Sequence, residues 1–239
     1  GRVSGKGGAA DLLVINPNTL RHRMRKLGYH TNRKYFISFY GGFHGRTYGA
    51  ISLTAAKVIQ RKGFGPFLPV IHVPYPDTYR PFGFSTDTCD VDVIRYIREE
   101  IFRTEVSPEE VAAFVVEAVQ GEGGYIVPPQ NFLRQLKEIC DEYGILLVVD
   151  EVQSGCMRTG RFLASEHFGV VPDIVTLSKA IGGGLPLGVT VASHEIMTWP
   201  PGSHASTFGG NNAACASGLA VLNILSTPGF GDHVTEMGA

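Results

Sequence analysis

Three ionisable residues stand where an apolar run stops. Glu117 follows Ala112-Ala113-Phe114-Val115-Val116, Asp150 follows Ile145-Leu146-Leu147-Val148-Val149, and Lys179 follows Ile174-Val175-Thr176-Leu177-Ser178. A neutral primary amine attacks an aldehyde carbon to give an imine, and withdrawal from water favours the neutral form. A carboxylate at such a place caps a helix, ligates a metal or partners a buried cation. Metal ligation wants further carboxylate or histidine ligands at short spacing, and only Glu151 is near. Asp150 and Lys179 instead suit opposite ends of one flat cofactor such as pyridoxal 5′-phosphate (PLP). There an acid keeps the pyridine nitrogen protonated, so that the ring draws electrons, and an amine bonds the aldehyde. Taken alone, Lys179 reads equally well as a surface lysine at a strand-to-loop corner.

The elements that would position these groups are legible as patterns. Residues 35–39 are β-branched and aromatic and end at Gly41-Gly42, as a strand running into a loop does. Residues 70–73 form another short strand, and the prolines within 74–81 predict an extended loop. Residues 91–102 predict a helix with Ile94, Ile97 and Ile101 on one face. The runs 112–116, 145–149 and 173–178 read as buried parallel strands, and 189–192 as a fourth strand after them. Between the first two, 129–143 predicts an amphipathic helix burying Phe132, Leu133, Leu136, Ile139, Cys140 and Tyr143, stopped by Gly144. Residues 211–225 predict a last helix, with Ala214, Leu219, Leu222 and Ile224 available for packing. Strands alternating with helices imply an α/β fold, a mostly parallel central sheet flanked by helices, with ligands beyond the carboxyl ends of the strands.

Composition narrows the function classes. A formal net charge of −1 gives no pull toward nucleic acid or an anionic membrane. The four cysteines lie far apart with no CxxC pair, which argues against a zinc site or a disulfide framework. Cys140 and Cys215 read as small core residues. No apolar run reaches the roughly 18 residues a bilayer span needs, and no signal peptide opens the sequence, so the expectation is a cytoplasmic protein. Residues 1–28, glycine-rich and then basic, show no sustained period of 2 or 3.6 and predict no firm structure.

Six runs carry a resemblance. They are Gly42-Phe43-His44-Gly45-Arg46-Thr47, Glu117-Ala118-Val119-Gln120-Gly121-Glu122-Gly123-Gly124, Val149-Asp150-Glu151-Val152-Gln153-Ser154-Gly155, Arg158-Thr159-Gly160, Leu177-Ser178-Lys179-Ala180-Ile181-Gly182-Gly183-Gly184 and Ser206-Thr207-Phe208-Gly209-Gly210-Asn211. In this order they resemble the signature of class III aminotransferases, the ornithine- and 4-aminobutyrate-type members of PLP-dependent transferase fold type I. The resemblance covers about residues 29–226. It implies that Lys179 holds PLP as a Schiff base and then moves the proton between substrate Cα and cofactor C4′. It implies that Asp150 pairs with the pyridinium, Phe43 stacks on one ring face with His44 beside it, Val152 packs on the other face, and Gln153 reaches the phenolic oxygen. Thr207 would bind the phosphate of the neighbouring subunit's cofactor, which implies a homodimer. Arg46, Glu117 and Glu122 would line the substrate side. Phe43 as a core aromatic, His44 as a structural hydrogen-bonder and Glu122 as a local cap or ion pair are the alternatives.

The implied reaction transfers an amino group from an amino acid to a 2-oxo acid. The Phe43-to-Thr47 run and residues 75–83 lean toward ω-amino, 4-aminobutyrate-like donors. Acetylornithine or ornithine donors, a PLP aminomutase or racemase of the same fold, and an inactive fragment remain as alternatives. The sequence departs from the family in three ways. The Ser-Gly-Ser/Thr-Glu-Ala motif that cradles the phosphate has no counterpart in residues 1–28, which suggests a replaced upstream segment. The remainder, 29–239, reads as the PLP-binding large domain, with the small C-terminal domain and its α-carboxylate arginine absent. Ala118 and Asn212 stand where the family commonly has proline.

Overall fold

A computed structural model describes residues 33–239, so the atypical segment 1–28 lies outside the described residues. Among them a six-stranded sheet runs in the order β2-β1-β3-β4-β5-β6. The strands are β1 (Tyr35–Phe39), β2 (Val70–Val73), β3 (Val111–Glu117), β4 (Leu146–Asp150), β5 (Ile174–Leu177) and β6 (Val189–Ala192). The first five pair in parallel, and β6 joins β5 antiparallel. A single antiparallel edge on an otherwise parallel sheet keeps the predicted class, because crossover helices still cover the parallel strands.

Five helices, besides short 3₁₀ turns, accompany the sheet among the described residues. They are α1 (Tyr48–Leu53), α2 (Cys89–Tyr96, continued by a wider π-helical stretch, Ile97–Glu105), α3 (Phe132–Tyr143), α4 (Asn212–Leu225) and α5 (Phe230–Gly238). The widening of α2 ends with Val106 N–H donating to Ile101 O, an i→i−5 bond. Helix α3 starts at Phe132, three residues after the expected 129, and stops where its sequence says. Its apolar face buries Phe132, Leu133, Leu136, Ile139 and Cys140, while Tyr143 is only partly covered, and Gly144 takes the left-handed conformation (φ 64°) that ends the helix. Asp173 ties α3 to the sheet, since it accepts from Lys137 Nζ at 3.1 Å and from Leu147 N–H at 2.8 Å.

The core lies between the sheet and the helices α2 and α3, where Ile37, Phe39, Phe114, Leu147 and Val149 meet Ile97, Ile101 and Leu136. At its end nearest the site, Phe39, Tyr75 and Phe132 pack edge-on with ring centroids 5.4–5.9 Å apart. A smaller cluster under α4 joins Cys156, Val175, Leu177, Ile181 and Leu225. Helix α4 differs from expectation. Ala214 is buried and Leu222 partly covered, but Leu219 and Ile224 are exposed, and Cys215 is intermediate. Among the described residues no single helix is long and apolar enough to cross a membrane; the bent pair α4 and α5 passes that test by length and composition only.

Candidate active site

Register brings the three strand-end groups to one edge. Glu117 on β3 lies opposite Asp150 on β4, and Asp150 lies opposite Thr176 on β5, three residues before Lys179. Parallel pairing requires all three carboxyl ends to emerge on the same side. The fold thus does with hydrogen bonds what the sequence only suggested by spacing.

Each carboxylate is held by donors of the chain itself. Asp150 Oδ2 is 2.8 Å from His44 Nδ1, and Oδ1 accepts from Val152 N–H at 3.0 Å. A carboxylate can accept about four hydrogen bonds, so Asp150 keeps capacity for another donor. Because Nδ1 faces an acceptor, it carries the proton; Nε2 then faces Ser38 Oγ at 3.3 Å. The one Ser38 hydroxyl proton goes either to Nε2 or to Leu53 O, 2.9 Å away, and His44 N–H donates to Thr54 Oγ1 at 2.9 Å, which fixes the backbone of His44. His44 is thus a structural hydrogen-bonder that stands beside Asp150.

Glu117 is 5% exposed. Its Oε1 accepts from Phe43 N–H at 2.8 Å and its Oε2 from Gly121 N–H at 3.0 Å. Burial pushes its carboxyl above the ordinary value of 4.5, and the two backbone N–H groups pull the other way. Tyr75 fixes the backbone here, donating from its hydroxyl to Glu117 O at 3.1 Å and Ala118 O at 3.2 Å. Burial, and then the charge of Glu117, push that phenol well above its usual range.

Lys179 opens a 3₁₀ turn, Lys179–Gly182, directly after β5. It is one of four non-glycine residues with positive φ (49°) among the described residues, a conformation that costs an L-residue about 1–2 kcal/mol. Ser178 Oγ holds the turn by donating to Leu187 O at 2.7 Å, and Ser217 Oγ of α4 donates to Gly182 O at 2.9 Å. Lys179 is exposed, against the withdrawal from water expected for it, and its Nζ donates to Gln153 Oε1 at 3.3 Å. Gln153 in turn packs on Gly121, where a Cβ would lie 2.3 Å from its side chain.

The structure therefore gathers Phe43, His44, Glu117, Asp150, Val152, Gln153 and Lys179 into one network. It does not draw in the other three predicted residues. Arg46 and Thr207 are exposed, and Glu122 pairs at the surface with Lys57 at 3.3 Å. Glu151, which the sequence offered only as a neighbouring carboxylate, is 1% exposed and accepts from Ser154 Oγ and from Ser165 N–H at 2.8 Å. Its signal was a second acid at the end of a buried run, a place where a carboxylate must find internal donors. Gln120 and Ser38 were equally silent. Among the described residues no group of three His, Cys, Asp or Glu could hold a metal.

A family model described as aminotransferase class-III matches residues 18–239. The chain belongs to the class III aminotransferases. The match starts upstream of residue 29 and runs beyond residue 226, the bounds of the resemblance. A leucine/methionine racemase of Thermococcus litoralis is 45% identical over 81% of this chain and 44% of its own length. A probable 4-aminobutyrate aminotransferase of Bacillus subtilis is 40% identical over 87% of this chain and 48% of its own. Among solved structures, a PLP-bound amine transaminase from an uncultivated Pseudomonas species is 33% identical. Its TM-score is 0.77, with coverage of 86% of this chain and 48% of that one. The class III chain thus spans about half the length of the relatives it matches. The family and the PLP-bound neighbour support PLP as its cofactor. The donor set fits that group: a carboxylate with spare acceptor capacity, a primary amine and an aromatic residue on a glycine-flanked turn stand at one sheet edge.

Proposed function

We propose that this chain carries the cofactor-binding and reacting groups of an aminotransferase that moves an amino group from an ω-amino acid, 4-aminobutyrate-like, to a 2-oxo acid. One observation supports this most: Asp150, oriented by His44 and still able to accept, shares an edge with Lys179. Bound PLP supplies an electron sink that lets the C–H bond at the reacting carbon break heterolytically. Asp150 holds the proton on the ring nitrogen, Phe43 and Val152 flank the ring, and Gln153 orients the phenolic oxygen. Lys179 Nζ is the amine that binds the aldehyde carbon and, when free, takes and returns the proton at the substrate carbon. Arg46, two residues beyond His44 and exposed, is free to meet a substrate carboxylate, where a planar guanidinium binds two oxygens at once. Glu122 lines the same side. Thr207, exposed, serves the phosphate site of a second copy in a homodimer.

Absorbance tests the reading. Saturating PLP should give a visible band that borohydride abolishes and that Lys179→Ala lacks. Adding 4-aminobutyrate should then bleach it, and a 2-oxo acid restore it. If the wild-type chain gives no band, the assignment of Lys179 fails. The similarity to a leucine/methionine racemase favours one second reading, isomerisation of an amino acid on the same groups. Incubating a single enantiomer with no 2-oxo acid separates the two, because only an isomerase yields the other enantiomer.

A further inference from the structure

The predicted role of Glu117 as a substrate contact conflicts with its surroundings. It is buried, and each oxygen already takes a backbone N–H from a different turn: Phe43 from the turn after β1, Gly121 from the turn after β3. Gln120, 1% exposed, crosses the same gap. Its Nε2 donates to Tyr40 O at 2.9 Å, and its backbone pairs with Ile126 in both directions at 3.0 Å, closing the second turn. The turns meet through glycines. A Cβ on Gly41 would lie 2.4 Å from Gln120 Oε1, and one on Gly123 would lie 2.5 Å from the same oxygen and 2.9 Å from Gly41 O.

We propose that Glu117 is a positioning residue: with Gln120 it staples the turn carrying Phe43 and His44 to the turn carrying Gly121, and so sets Phe43 against Asp150 from within the protein. Two charge-assisted bonds from one buried carboxylate fix the relative place of two backbones that glycine would otherwise leave free. What the staple positions, Phe43 as the platform for the cofactor ring, rests on the proposed aminotransferase reading; the staple itself does not.

Amide hydrogen exchange in the full chain, without added cofactor, tests it. Glu117→Ala should speed exchange at the Phe43 and Gly121 amides by about tenfold or more relative to core amides such as those of Ile139 and Leu147. Glu117→Gln keeps one acceptor and turns an NH₂ toward the other N–H, so only one of the two amides should speed up, which serves if the alanine variant does not fold. In both variants PLP affinity should fall. Equal acceleration of turn and core amides, or no change at Phe43 and Gly121, overturns the staple. A raised KM for the amino donor with amide exchange unchanged also overturns it and returns Glu117 to the substrate. Selective loss of protection in a chain that takes up no PLP supports the staple and refutes only the aminotransferase reading.

Discussion

Gly41 and Gly63 have nearly the same φ, 81° and 84°, but different surroundings. Nothing lies within 4 Å of a Cβ added at Gly63, whereas one added at Gly41 meets Gln120 Oε1 at 2.4 Å. A non-glycine residue in this region costs about 1–2 kcal/mol at either place. At Gly41 the methyl must also displace the Gln120 carboxamide. That group is buried, bonded to Tyr40 O, and backed by Gly123, so it has nowhere to turn. Overpacking of this kind adds about 1–3 kcal/mol. Gly41→Ala should therefore cost about 2–5 kcal/mol and Gly63→Ala about 1–2, measured as shifts of the urea midpoint at constant m. Truncating the obstacle should relieve the excess, so Gly41→Ala with Gln120→Ala should cost at least ~1 kcal/mol less than the sum of the single changes. If Gly41→Ala falls within ~0.5 kcal/mol of Gly63→Ala, or the double variant is additive, the close packing of the two glycine turns on Gln120 is refuted.

Three further outcomes are expected. Glu117 has its pKa raised in the folded chain, so its contribution to stability is whole below the unfolded value near 4.5 and is lost as pH rises through the raised one. The stability of wild type relative to Glu117→Gln should therefore fall with pH above 4.5, and a flat or rising difference in urea titrations would contradict it. Glu151→Ala should destabilise by about 2–4 kcal/mol in the same assay, because it strands the buried Ser165 N–H and empties a site 1% exposed. Leu136→Ala, fully buried on α3, should cost about 2–5 kcal/mol by leaving a cavity.

Sequence pattern located all six strands within a residue or so, because runs such as 112–116 and 145–149 leave a parallel strand as the one element that buries both faces. It also placed Glu117, Asp150 and Lys179 together, since strand ends of a parallel sheet share one edge. Other features had no local signal. The antiparallel sense of β6 depends on how the glycine-rich turn after Lys179 folds back, not on residues 189–192 themselves. Helix α1 is six residues long with Gly49 inside it, too short to show a period. Helix α4 buries less than its sequence predicts: Leu219 and Ile224 are apolar yet exposed among the described residues. The role of Glu117 was least legible, since its partners are backbone N–H groups, which every residue but proline carries.

The partners of the three strand-end acids bear on why a cationic ring would settle here. Glu117, Asp150 and Glu151 are all buried, and their hydrogen bonds come from backbone N–H groups, the Ser154 hydroxyl and the His44 imidazole, none from lysine or arginine. Hydrogen bonds of this kind solvate a carboxylate but carry partial charges only; burial is the main cause of the raised pKa of Glu117, and the charge of Asp150 adds to it as the smallest cause. An N–H that carries a full positive charge and reaches Asp150 would thus gain both a bond and the field of its neighbours. Each of the three acids takes one donor on each oxygen, Glu117 from two backbone turns, Glu151 from Ser154 and Ser165, and Asp150 from His44 and Val152, so the number of bonds does not set them apart. Asp150 differs in taking one of its donors from an imidazole, that of His44, and in being the most exposed of the three at 8%. The Asp150 carboxylate, which can accept more than the two bonds it has, would therefore favour a protonated ring nitrogen over a neutral one.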